Sequence, residues 1–188
     1  WPTSLLGHFA EEYLSLPPEV LIAVMKKHQR YFPVMKDGKL LPYVVIVANG
    51  PFEKPDIVRR GNEEVLRARY ADAVFFYQAD TQKKLEDFIP RLNTLTFQEQ
   101  LGSVLDKVVR LEKLVPRLAD LIGASEMERQ VAIRVAHLCK ADLATQMVVE
   151  LTSLQGVMGS KYALLSGETP EVAQGIYEHY LPRSAGDS

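Results

Sequence analysis

From Phe97 to Tyr180 the apolar residues return every three or four positions, so the second half of the chain is expected to be wholly helical. Leu101, Val104, Leu105, Val108, Leu111, Leu114 and Val115 trace the first buried face, and Gly123 ends that helix. Ser125 caps the next one, with Glu128 three residues on as its capping-box partner. The spacing of Val131, Val135, Leu138, Asp142 and Thr145 carries this helix to about Val149. Another is expected over about 153–165. Thr169 caps a last one that begins at Pro170, reaches Tyr180 and is stopped by Pro182.

The first half reads differently. Leu5, Leu6 and Phe9 suggest a strand or extended entry, and Pro17-Pro18 starts a helix with Val20, Leu21, Val24 and Met25 inside. Tyr31 to Met35 and Tyr43 to Ala48 read as strands joined through Asp37-Gly38 turn chemistry, which makes a β-hairpin. The run 43–48 is apolar on both faces and is expected to be an interior strand. A loop is expected over 51–61. Asn62 then caps a helix to about Gln78, and a further helix over about 81–92 is interrupted by Pro90. The fold class is α+β: a mixed α/β module with a hairpin over 1–93, then an all-α domain over 94–188.

Composition narrows the function. Of 188 residues, 47% are hydrophobic and 24% charged, which suits a packed globular protein and argues against disorder. Residues 1–100 carry 13 basic and 13 acidic groups and residues 101–188 carry 9 and 11, giving a net charge of −2. Neither half is an indiscriminate polyanion binder, so contact with nucleic acid requires a local patch. Cys139 is the single cysteine, which excludes an internal disulfide and a thiolate cluster. No stretch has the length and apolarity of a membrane span, no secretory leader is present, and a reducing cytoplasm is expected. The opening Trp1-Pro2 and the closing Gly186-Asp187-Ser188 suggest an internal piece of a longer protein.

Two basic clusters are the candidate binding residues. Lys26, Lys27, His28 and Arg30 lie beside Gln29, Tyr31 and Phe32, a mixture suited to phosphate contact and base stacking. Arg59 and Arg60 are followed by Arg67 and Arg69, and arginine can hold phosphate through two parallel hydrogen bonds. Glu63 and Glu64 lie close enough to pair with these arginines instead, as on any solvated helix. No glycine-rich phosphate loop or synthetase ATP motif is visible.

Eight strings place the chain in a family context. They include Leu16-Pro17-Pro18-Glu19-Val20-Leu21, the stretch Met25–Val34, Gly61–Arg69, Asp72–Tyr77, Phe97–Ser103, Lys140–Val148, Gln155–Gly159 and Glu178–Arg183. In this order they resemble the β subunit of bacterial glycyl-tRNA synthetase. The resemblance implies an α2β2 enzyme that joins glycine to tRNA(Gly) with ATP. It implies that the α subunit holds the adenylation site, while β supplies tRNA recognition and completes the assembly.

The resemblance also implies that the helical domain is of the HD type, a superfamily that often hydrolyses phosphate esters. An active member needs an adjacent His-Asp pair and further imidazole and carboxylate ligands to hold metal and activate water. Here Ala141 precedes Asp142, and His137 lies five residues upstream on another side of a helix. No catalytic residue, no metal site and no cofactor are therefore expected in this chain, ATP being used by the full enzyme. Asp142 is expected to be a buried carboxylate that accepts hydrogen bonds from Thr145 or a neighbouring helix end. The preferred function is tRNA engagement and subunit assembly. The alternatives are a metal-dependent phosphohydrolase and a purely structural interaction module.

Overall fold

The computed structural model describes residues 1–51 and 53–185, with His28 described by its backbone alone. It confirms an α+β chain with a small antiparallel sheet near the start and helices after it. Two compact units are present, Trp1–Gln78 and Ala79–Ser188.

In the first unit, β1 (Pro2–His8), β2 (Phe32–Lys36) and β3 (Lys39–Asn49) form a sheet in the order β1-β3-β2, so β3 is interior as its composition predicts. Asp37 and Gly38 both adopt positive φ, +49° and +75°, the two-residue turn whose twist matches that of paired strands. Only one face of β3 is sealed. Val44 and Ile46 are buried, whereas Tyr43 and Val47 on the other face are exposed. The helix α1 (Pro18–Val24) buries Val20, Leu21 and Val24.

The second helix, α2 (Pro55–Thr81), begins seven residues earlier than the sequence suggests. Pro55 does not break it. A proline in the first turn has no N–H to leave unpaired, and Asp56 there suits the positive end of the helix dipole. Asn62 is consequently interior instead of a cap, and its amide donates to Val58 O, one turn back, at 2.7 Å. The buried stripe of α2 is Leu66, Tyr70 and Ala73. Phe9 and Tyr13 pack on the Tyr70 ring at centroid distances of 5.1 and 5.3 Å.

The second unit corrects several helix boundaries. The segment Leu85–Thr94 is a 3-10 helix containing Pro90, with Leu85, Phe88, Ile89 and Leu92 inside. Residues 96–103 are not helical: β4 (Thr96–Gln98) pairs with β5 (Gly102–Ser103). Gln98 Oε1 accepts from the Gln100 and Leu101 N–H groups at 2.7 and 2.9 Å and so closes the turn. Next, α3 (Val104–Leu121) starts at Ser103, which exchanges hydrogen bonds with Asp106 in a capping box. The same reciprocal pair, Ser125 and Glu128, opens α4 (Glu126–Leu138) as expected.

That helix stops at Leu138 and does not reach Val149. A 3-10 turn, Ala141–Ala144, intervenes before α5 (Gln146–Glu150), because Asp142 and Thr145 bond to new helix ends. Thr145 accepts from Val148 N at 3.3 Å and caps α5. A 3-10 turn, Thr152–Leu154, then precedes α6 (Val157–Leu165). Thr169 caps α7 (Pro170–Glu178) as the sequence predicts. Leu138, Met147, Met158 and Ile176 are fully buried here, and Leu92, Val104 and Val108 form a cluster with Leu143 and Ala144 at its margin.

Candidate functional site

The cationic residues singled out in the sequence lie in the first unit, on two structural supports. After α1 the chain widens into a π-helical turn, Met25–Gln29, that exposes Lys26 and Lys27. Such wide turns occur at helix C-termini. The turn ends at Arg30, which is exposed and left-handed at φ +55°, and Tyr31 N then bonds back to Met25 O at 3.0 Å. The His28 side chain lies outside the described residues.

Tyr31 is buried, and its hydroxyl donates to Asn62 Oδ1 on α2. This bond brings the end of the first cluster beside the helical turn that carries Arg59. The remaining arginines do not form one face. At about 100° per residue, Arg60 and Arg67 share one flank of α2 while Arg69 lies about 200° from Arg67.

Most of the α2 arginines have carboxylate partners. Arg59 meets Asp56 at 3.1 Å and Glu63 at 3.8 Å, Arg67 pairs with Glu64, and Arg69 meets Asp72 at 3.7 Å. The anticipated competition from Glu63 and Glu64 is therefore present. Such exposed pairs contribute about 0–1 kcal/mol each and exchange readily for another anion. Among the described residues Lys26, Arg30 and Arg60 make no ion pair.

The helical unit holds the residues that would bear chemistry. Asp142 is fully buried, and its Oδ2 accepts the Gly156 N–H at 2.6 Å, at the start of α6. The expectation of a buried carboxylate at a helix end holds. Thr145, however, donates to the Asp142 backbone carbonyl, at 2.6 Å, and not to the carboxylate. Burial pushes the Asp142 carboxyl up to about 6, against hydrogen bonds from Gly156 and the charge of Lys140. Gly156 has φ +78°, and a Cβ there would lie 2.5 Å from the Tyr180 ring, so glycine is required on both counts.

His137 faces elsewhere. Its Nδ1 is 2.5 Å from Glu112 and its Nε2 3.2 Å from Glu86. Arg134 bonds both Glu86 and Glu168, and its hydrogen bonds hold the Glu86 carboxyl at about 2. Among the described residues no group of three or more His, Cys, Asp or Glu is gathered closely enough for a metal ion.

Two arrangements escaped the sequence reading. Asp80 is buried and accepts from Gln146 N and Met147 N, each at 2.9 Å, and from the Tyr162 hydroxyl at 3.0 Å. Its partners are distant in sequence, and no local signal marks it. The second is a groove of about 850 Å³ between α3, α4 and α7, floored by Leu111, Val115, Val131 and Val135. At one end Lys140 donates to His179 Nε2 at 2.8 Å, while His179 Nδ1 donates to Ile176 O at 2.6 Å. Burial, then Lys140, depresses His179 to about 4, and burial lowers the Lys140 amine. The Lys140 ammonium also lies 3.9 Å from the Tyr180 ring centre. Lys140 follows the end of α4, and no local spacing signals its pairing with His179, 39 residues on.

Fold and site together define an α+β module whose buried carboxylates Asp80 and Asp142 serve helix ends and whose α2 arginines lie on an exposed helical surface. It belongs to the glycyl-tRNA synthetase beta subunit family, whose sequence profile matches residues 1–188. The glycine–tRNA ligase beta subunit of Synechocystis sp. is 55% identical over 188 residues, covering 100% of this chain and 26% of that protein. The one from Clostridioides difficile is 51% identical over 187 residues, covering 100% and 27%. That of Listeria monocytogenes serotype 4b is 50% identical over 186 residues, covering 98% and 27%. All three are named as subunits of an aminoacyl-tRNA synthetase, and the chain spans about a quarter of the length of these relatives. Among the described residues no helix is long and apolar enough to cross a membrane.

Proposed function

We propose that the chain is a non-catalytic portion of a glycyl-tRNA synthetase β subunit, supporting tRNA(Gly) binding and assembly with an α subunit in a cytoplasmic α2β2 enzyme. ATP-dependent glycylation takes place on the α subunit, and this module contributes binding and orientation. The observation that carries the reading is the family match across all 188 residues. The helical unit is an HD-type scaffold in which Asp142 serves a helix end in place of an ion. Lys26, Lys27, His28 and Arg30, with Arg59, Arg60, Arg67 and Arg69, supply phosphate contacts. Lys26, Arg30 and Arg60, which make no ion pair among the described residues, lead that group.

The test is a filter-binding titration of tRNA(Gly) at several salt concentrations, beside an aminoacylation assay of the chain alone. Binding whose logarithm falls linearly with log salt, without formation of glycyl-tRNA, is expected. No binding at low salt would leave a purely structural module, and glycylation without the α subunit would overturn the division of labour.

A further inference from the structure

We propose that α3 carries a second RNA-binding surface, with Lys107, Arg110, Lys113 and Arg117 holding backbone phosphates and Phe97 stacking an unpaired base. It deepens the tRNA-binding reading above and rests on it. At about 100° and 1.5 Å per residue, the four cations occupy an arc of about 120° along about 15 Å of helix. Arg110, Lys113 and Arg117 are exposed, and Lys107 is half-buried.

What distinguishes this helix is the use of its acids. Asp106 is held by the Ser103 hydroxyl and backbone at its own N-terminus. Glu112 faces His137 at 2.5 Å, and Asp120 meets Arg129 of α4 at 3.2 Å. Glu112 and Asp120 are thus engaged by α4, while Asp106 lies within the basic arc and attracts Arg110 but is committed to the Ser103 cap, and among the described residues none of the four cations forms an ion pair. The contrast with α2 is direct, since three of its four arginines are neutralised by neighbours on the same helix.

Charge alone would suit any polyanion, and Phe97 narrows the choice. It projects from β4 and is 41% exposed. Lys107 Nζ lies 4.2 Å and Arg110 Cζ 6.0 Å from its ring centre. The Arg110 guanidinium is anchored by a 2.8 Å bond to Leu101 O, which secures it against the β4–β5 turn. A partly exposed aromatic ring with cations over it, at the head of a basic stripe, is a combination by which proteins take single-stranded RNA.

The experiment uses the full chain, a tRNA(Gly) transcript and poly(U), with poly-glutamate as a charge-matched competitor. Arg110→Glu with Arg117→Glu is expected to weaken tRNA binding at least about tenfold and to flatten the salt slope by about one for each phosphate no longer neutralised. Phe97→Leu is expected to weaken binding by about 5- to 150-fold with the salt slope unchanged, because stacking releases no counterion. Lys36→Glu with Lys39→Glu, the same charge change at the β2–β3 turn, is expected to do much less. Circular dichroism and thermal melting confirm that each variant folds.

If tRNA binding survives the α3 changes but is abolished by Lys26→Glu, Arg30→Glu and Arg60→Glu, the α3 surface is wrong and the broader function stands. If wild type binds no RNA at low salt, both fall. Competition by poly-glutamate as effective as by poly(U) would overturn the assignment in favour of an acidic protein.

Discussion

The Asp142 carboxylate receives the Gly156 N–H at 2.6 Å, while its other oxygen, Oδ1, is closed to solvent and has no hydrogen-bond partner among the described residues. One oxygen thus satisfies an otherwise orphaned donor at the start of α6, and the other bears the desolvation of an ionised group. The same residue therefore helps and harms stability, in a proportion that depends on its proton.

Replacing Asp142 with Asn separates the two effects. The carboxyl titrates at about 6 when folded, against an ordinary value of 3.8. The folded state holds the proton more tightly, so this contribution is complete below 3.8 and is lost as pH rises through about 6. That difference corresponds to about 2–3 kcal/mol. Asn retains an acceptor for Gly156 and has no proton to lose. Urea unfolding across the range from about pH 4 to about pH 7 is expected to show Asn gaining by about 2–3 kcal/mol relative to wild type. A difference independent of pH would contradict this account of the carboxylate.

Asp80 offers the opposite case, since three donors converge on it. Asp80→Ala leaves the Gln146 and Met147 N–H groups at the start of α5 without acceptors, and the Tyr162 hydroxyl without Asp80 as well. A loss of about 3 kcal/mol or more is expected. Tyr162→Phe removes one donor and leaves Asp80 with two, so about 1 kcal/mol is expected. Chemical denaturation of both variants checks the ranking, and near-equal losses would show that the backbone bonds contribute little.

These two carboxylates mark where sequence reading succeeds and where it stops. Ser125 with Glu128, and Thr169 with Val172, are legible because each cap joins residues three apart, whereas the Ser103–Asp106 cap is hidden by the helical spacing that runs on from Phe97. Asp37-Gly38 is legible because two positive φ values demand such residues. Asp80 bonds residues 66 and 67 positions away, and no local pattern encodes that. Phe97 and Leu101 mimic helical spacing across what is a turn held by Gln98. The basic clusters of the first unit drew notice because their cations are adjacent. Lys107, Arg110, Lys113 and Arg117 are spaced by three and four, and form one surface only once the segment is helical.

Close packing around Asp142 makes Gly159 a sensitive position. A Cβ there would lie 2.9 Å from Asp142 Oδ2 and 2.9 Å from Ile176 Cγ2, both belonging to buried groups. Gly159→Ala must displace the capping carboxylate or α7, so the helix-propensity gain of alanine is outweighed. A net loss of about 1–3 kcal/mol is expected. Gly61→Ala in α2 is the comparison, since nothing lies within 4 Å of its added Cβ. Removing a flexible residue from that helix is expected to stabilise by about 0.5–1 kcal/mol. Thermal melts of the two variants that move in the same direction would refute the steric argument.

Cys139 provides a readout of opening in the helical unit. It is 3% exposed, its sulfur donates to Ala136 O at 3.7 Å, and burial pushes the thiol up despite Lys140 beside it. The thiolate is the reactive form, so both concealment and the raised pKa suppress alkylation in the folded chain. Iodoacetamide labelling at about pH 8 is expected to be at least about a hundredfold slower than in urea-unfolded chain, because it waits on opening of the surrounding helices. Asp80→Ala, which loosens the start of α5, is expected to accelerate labelling, whereas Arg110→Glu with Arg117→Glu on the exposed arc of α3 is expected to leave it near wild type. Rapid labelling of the native protein would mean that α4 and α7 part readily at Cys139, and that the groove they line with α3 opens without unfolding.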